Sequence, residues 1–103
     1  MIESVAQVPT AHASKYLQQL CKHWSHNLAV EFTAERGTVT FPADMKGTVF
    51  PSEGTLEMIA HPETLEMRVA GANEEHVARL QTVAARHLDR FAFREAPLPF
   101  EWA

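Results

Sequence analysis

Six histidines stand in a chain of 103 residues, at His12, His23, His26, His61, His76 and His87. Imidazole binds transition metals and exchanges protons near neutral pH, so metal ligation and acid-base work are the first chemistry to weigh. At about 100° per residue on an α-helix, His23 and His26 lie about 60° and one turn apart, close enough to share an ion. His76 and His87 fall nearly on one line of a second helix but about 16 Å apart, too far for one site. Only His87 can join the first pair, and only if the two helices lie side by side. The metal or ligand set this suggests is His23, His26 and His87. A plainer role is favoured, in which each ring packs on the shoulder of an apolar stripe and bonds a neighbour. No Asp or Glu spacing completes a coordination set. His12 and His76 sit in first helical turns and His61 in a turn, positions that predict solvated surface residues.

Cys21 lies about 200° around the helix from His23, so the two cannot converge on one atom. Its place beside the apolar stripe predicts a small buried hydrophobe, and it would serve as a nucleophile only with a lowered pKa. Arg90 and Arg94 are spaced i, i+4 near a helix end, where their charge suits the negative terminus. The same pair can clamp a carboxylate or phosphate through forked hydrogen bonds. There is no Gly-x-Ser-x-Gly elbow, no phosphate loop among the four glycines and no His-Glu-x-x-His pair. No transition metal or other cofactor is required by the sequence.

Two helices must position these residues. Residues 12–26 place Ala13, Tyr16, Leu17, Leu20 and Trp24 on one stripe, with Thr10 as the expected N-cap. Residues 74–91 do the same with Val77, Leu80, Ala84, Leu88 and Phe91, opened by Asn73, Glu74 and Glu75. Between them the apolar period drops to two, in a hairpin from Val30 to Phe41 turning at Ala34-Glu35-Arg36-Gly37. A second hairpin runs from Leu56 to Val69, turning near His61-Pro62. The duplicated Thr-Leu-Glu-Met at 55–58 and 64–67 reflects two similar facing strands, being far shorter than a solenoid repeat. Pro42 to Glu53 reads as a long loop. Glu3 to Val8 can form a strand, and the proline-interrupted Pro97 to Trp102 can serve only at a sheet edge.

This order predicts one α+β domain over residues 1–103. It is a two-layer sandwich with an antiparallel sheet of four to five strands and both helices on its apolar face. The element order, strand-helix-four strands-helix, matches the TATA-binding-protein-like topology. The other sheet face is polar apart from Ile59.

Composition narrows the function classes. Thirteen acidic against nine basic residues give a net charge of -4, which disfavours nonspecific nucleic-acid binding. No run reaches the roughly 18 to 20 apolar residues of a membrane helix. A single cysteine and an N-terminus without a signal-peptide pattern predict a cytoplasmic protein.

The segments Tyr16-Leu17-Gln18-Gln19-Leu20-Cys21-Lys22-His23-Trp24-Ser25-His26 and His87-Leu88-Asp89-Arg90-Phe91-Ala92-Phe93-Arg94-Glu95 resemble an uncharacterised bacterial family, domain of unknown function 2218. The hairpin after Arg36-Gly37 fits too, and the resemblance spans nearly the whole chain, although Pro42 to Glu53 is longer than the family pattern. The resemblance implies a small bacterial domain without established activity, with a link to iron and siderophore uptake.

Three readings follow. One is a binding or accessory module for a small anion or metal chelate, with its site around His23, His26, His87, Arg90 and Arg94. The second is a minimal enzyme using Cys21, His23 or His87. The third is an interaction module that forms a homodimer through the polar sheet face or the proline-rich edge.

Overall fold

The computed structural model describes residues 1–45 and 47–103. The elements follow one another as β1 (Ile2–Pro9), α1 (Ala13–Trp24), β2 (Ala29–Phe32), β3 (Arg36–Phe41), β4 (Asp44–Met45), β5 (Thr48–Val49), β6 (Gly54–Ala60), β7 (Thr64–Gly71) and α2 (Glu74–Phe91). Five strands form one antiparallel sheet in the order β1-β7-β6-β3-β2, so the first strand closes beside the last. Both helices pack on the same face, as the two amphipathic stripes require.

Alternation in the strands produces that face directly. Ser4, Ala6 and Val8 of β1, Val39 and Phe41 of β3, Leu56 and Met58 of β6, and Leu65, Met67 and Val69 of β7 are buried. Against them lie Tyr16, Leu17, Leu20, Cys21 and Trp24 of α1, and Val77, Leu80, Ala84 and Leu88 of α2. Each fully buried aliphatic side chain stabilises the fold by about 1.5–3 kcal/mol relative to exposure, so this layer is the main cohesive element.

The helix ends differ in how they are made. Asn73 caps α2 through its side-chain oxygen, which accepts the His76 amide at 2.9 Å. Thr10 does not cap α1. The cap position falls to His12 without a side-chain bond, and the Thr10 hydroxyl instead accepts the His12 amide at 3.0 Å, two residues on. The helix also stops at Trp24, short of residue 26, because the chain turns there, with the Asn27 and Leu28 amides donating back to the Trp24 carbonyl.

The 42–53 stretch is more ordered than a plain loop. β4 and β5 pair antiparallel, Asp44 with Val49 and Met45 with Thr48, and Gly47 in their turn has φ +92°, a conformation glycine adopts without strain. Lys46 lies outside the described residues. The C-terminal segment covers the β1 edge without becoming a strand: Ala103 exchanges two backbone hydrogen bonds with Val5, at 2.9 and 3.2 Å. Prolines 97 and 99 have no amide to donate, so a continuous ladder cannot form.

The outer sheet face is polar, with Val5 as well as Ile59 interrupting it. Arg68 reaches Glu3, Glu57 and Glu66 at 3.5, 3.9 and 3.3 Å, and Arg36 meets Glu57 at 3.8 Å. Among the described residues no helix is long and apolar enough to cross a membrane.

Candidate functional site

A cleft of about 430 Å³ opens where the end of α1 meets the middle of α2 beneath the small β4–β5 hairpin. Four residues of α1 and its exit, His23, Trp24, Asn27 and Leu28, form one side. Arg79, Val83, Arg86 and His87 of α2 form another, and Phe41, Pro42, Asp44 and Met45 close the third. The spacing explains the convergence. Residues 79, 83, 86 and 87 stand at i, i+4, i+7 and i+8, which is one face of a helix.

The floor is aromatic. The Trp24 ring meets Phe41 edge-on at 5.6 Å and tilts against His87 at 5.1 Å. His23 lies 5.5 Å from both His87 and Phe91, ring centre to ring centre. Nδ1 of His87 is 2.8 Å from the Val83 carbonyl, an oxygen that can only accept, so in the neutral ring the proton sits on Nδ1. Nε2 is then a lone-pair acceptor. Burial, and after it the charges of His87, Arg90 and His26, hold the His23 imidazole below its usual range and favour its neutral form.

Charge in the cleft runs against that of the whole chain. Arg79 and Arg86 face one carboxylate, Asp44, in a protein whose net charge is -4. Arg79 is also structural, since its guanidinium donates to the Met45 carbonyl at 3.0 Å and ties the small hairpin to α2. Arg86 is exposed, and its forked donors remain suited to an oxyanion.

The sequence-derived site is therefore only partly assembled. His23 and His87 come together. His26 is exposed beyond the end of α1 and does not line the cleft, although its charge is felt at His23. Among the described residues no group of three His, Cys, Asp or Glu is placed to hold a metal ion, so the favoured plainer role of these histidines stands against the alternative triad of His23, His26 and His87. Arg90 acts on His23 from outside the lining. Arg94 does not line the cleft, and its guanidinium lies 5.8 Å from the Phe93 ring centre.

Cys21 is fully buried, and burial pushes its thiol up to about 11, the reverse of what a nucleophile needs. Its sulfur fills the space over Gly37, where an added Cβ would stand 2.6 Å from Sγ. The enzyme reading loses its thiol on these grounds.

Two features of the structure have no clear local signature in the sequence. Arg79 and Arg86 carry no sequence expectation, although their spacing with Val83 and His87, at i, i+4, i+7 and i+8, places them on one helix face. His76, expected at the surface, is 0% exposed. It sits between Gly54 and Gly71, where a Cβ would lie 2.7 and 2.9 Å from its ring. Only residues without side chains leave room for it there, a pairing invisible to helical periodicity.

Comparison with known proteins places the chain. Residues 5–103 match the family described as "Uncharacterized protein conserved in bacteria (DUF2218)", and the chain belongs to that family. It is similar to the protein of the NMR structure of PA4090 from Pseudomonas aeruginosa, with 34% identity and a TM-score of 0.78, covering 100% of this chain and 96% of that one. No curated protein shows significant similarity.

Proposed function

We propose that this member of the family binds a small organic anion with an apolar, preferably aromatic, body in the cleft between α1, α2 and the β4–β5 hairpin. The observation that carries this reading is the meeting of an aromatic floor, Trp24 and Phe41, with an arginine surplus in an otherwise acidic protein. Apolar walls supply the attraction, and a few placed polar groups set orientation, the usual composition of small-molecule sites, which span about 300–1,000 Å³. Arg86 is assigned to the oxyanion. The His87 Nε2 lone pair favours a ligand that also offers an N–H or O–H donor. An anionic iron chelate meets the same charge requirement through its periphery, without asking the protein for metal ligands.

The test is an NMR titration of the chain with an aromatic carboxylate and with its neutral amide, 2-naphthoate and 2-naphthamide, followed at the Trp24, Arg86 and His87 amides. A ferric hydroxamate serves as a third probe. Shifts clustering at the cleft, stronger for the carboxylate, are expected. Arg86→Ala should weaken carboxylate binding by about tenfold, the loss of about 1.4 kcal/mol of charge-assisted hydrogen bonding, and leave the amide unaffected. Absence of cleft shifts with every probe at millimolar concentration would refute the reading.

A further inference from the structure

The cleft's third wall is held in place by a buried imidazole outside the cleft itself. Phe50, which follows β5, is 5% exposed and stacks on His76 with ring centres 4.2 Å apart and planes 4° from parallel. The Phe50 amide donates to the Ala43 carbonyl at 2.8 Å, closing the β4–β5 hairpin behind Pro42, Asp44 and Met45. Together with the Arg79 bond to Met45, this stack fastens the wall to α2.

His76 tolerates only one protonation state in this setting. Its Nδ1 accepts the Ala72 amide at 2.9 Å, so Nδ1 carries no proton and the neutral ring is protonated on Nε2. That Nε2 is buried and finds no hydrogen-bond partner among the described residues. A second proton would have to land on Nδ1, pointing donor against donor, and would place a full charge in an apolar cradle. Among the described residues no carboxylate faces the ring to offset it. β6 presents Gly54, β7 presents Gly71, and the 42–53 segment presents Phe50. The described charged residues of these elements turn elsewhere. Asp44, Glu53, Glu74 and Glu75 are exposed, Arg79 is on Met45, and Glu57, Glu66 and Arg68 lie on the outer sheet face. Burial is accordingly the sole cause holding its pKa below the usual value.

We infer that His76 is an acid-sensitive latch: neutral, it clamps Phe50 and thereby the β4–β5 wall of the cleft, and protonation expels the ring from between Gly54 and Gly71 and frees that wall. The consequence for a bound ligand rests on the proposed anion site, whereas the latch does not, so it is tested on the free protein.

The experiment follows His76 ring resonances and hydrogen-exchange protection of the Phe50 and Ala72 amides between about pH 7.5 and 5, the range of imidazole titration. These amides, and not ligand affinity, are the readout, because the cleft itself contains two further imidazoles, His23 and His87. Protection at both should fall together by at least about tenfold, with the midpoint of the His76 ring titration and below about pH 6.5, the unperturbed histidine value. His76→Asn retains an acceptor for the Ala72 amide without titrating in this range, and should make Phe50 protection independent of pH. Should that variant not fold, the wild-type ring titration decides alone. A His76 ring that protonates without change at the two amides would overturn the latch. So would unchanged protection across the range, or pH dependence that persists in a folded His76→Asn.

Discussion

Tyr16 is the one tyrosine in the chain, and its hydroxyl donates to the Glu95 carboxylate, which also accepts from Thr10 at 3.1 Å. The phenol is pushed up to about 12, first by the hydrogen bond to Glu95 and then by burial. Its folded pKa is above the unfolded one, so this stabilisation is complete below about pH 10 and disappears as pH rises through about 12. Phenolate absorbance of the native protein should therefore report a single titration delayed to that range. Tyr16→Phe should lower stability by about 1.5–3 kcal/mol in chemical denaturation, as expected for a bond to a charged acceptor, and a change below about 0.5 kcal/mol would contradict the assignment. Cys21 offers a second check at this scale. Iodoacetamide should label it only as fast as the chain opens, since the thiol is fully buried and its pKa is raised to about 11, and rapid alkylation of the native protein would show the packing to be wrong.

Among the elements, α1 packs closely on β3, because Gly37 lies directly under the Cys21 sulfur. Gly37→Ala should destabilise by about 1–3 kcal/mol through overpacking, and removing the sulfur in Cys21→Ala should recover much of that loss. Additive effects in the double variant would mean the two side chains do not meet. Strands and helices were legible because their periods repeat over many residues: Val77, Leu80, Ala84 and Leu88 mark the buried face of α2, and Asn73 opens it as the cap spacing predicts. The β4–β5 hairpin was not legible. Two residue pairs are too short to show a period, and what holds them, Phe50 on His76 and Arg79 on Met45, comes from α2 rather than from local sequence. The site divides in the same way. His23 and His87 were recognisable as shoulder residues of adjacent helices. Their neighbours Phe41, Pro42 and Met45 depend on how the sheet's own connection folds back.

At the scale of the whole molecule, the sheet keeps two faces with separate jobs. The helix-covered face supplies the core and, at one end, the cleft. The outer face carries the Arg68-centred network, in which Glu66 is held below the usual carboxylate range first by the Gln7 and His61 hydrogen bonds and then by Arg68. Its folded pKa is depressed, so its contribution is present above the unfolded carboxylate value, near pH 4.5, and is lost as pH falls through the folded one. Glu66→Gln should accordingly flatten acid unfolding below about pH 4.5, as read by circular dichroism, while leaving the cleft untouched.

A bound aromatic carboxylate should sit in the cleft between α1, α2 and the β4–β5 hairpin. Intermolecular nuclear Overhauser effects between 2-naphthoate and the isotope-labelled protein should connect its ring protons to Trp24, Phe41 and Val83, the apolar lining of the cleft, with the carboxylate edge nearest Arg86. Contacts confined to the outer sheet face, around Glu3, Thr55 and Arg68, would contradict it.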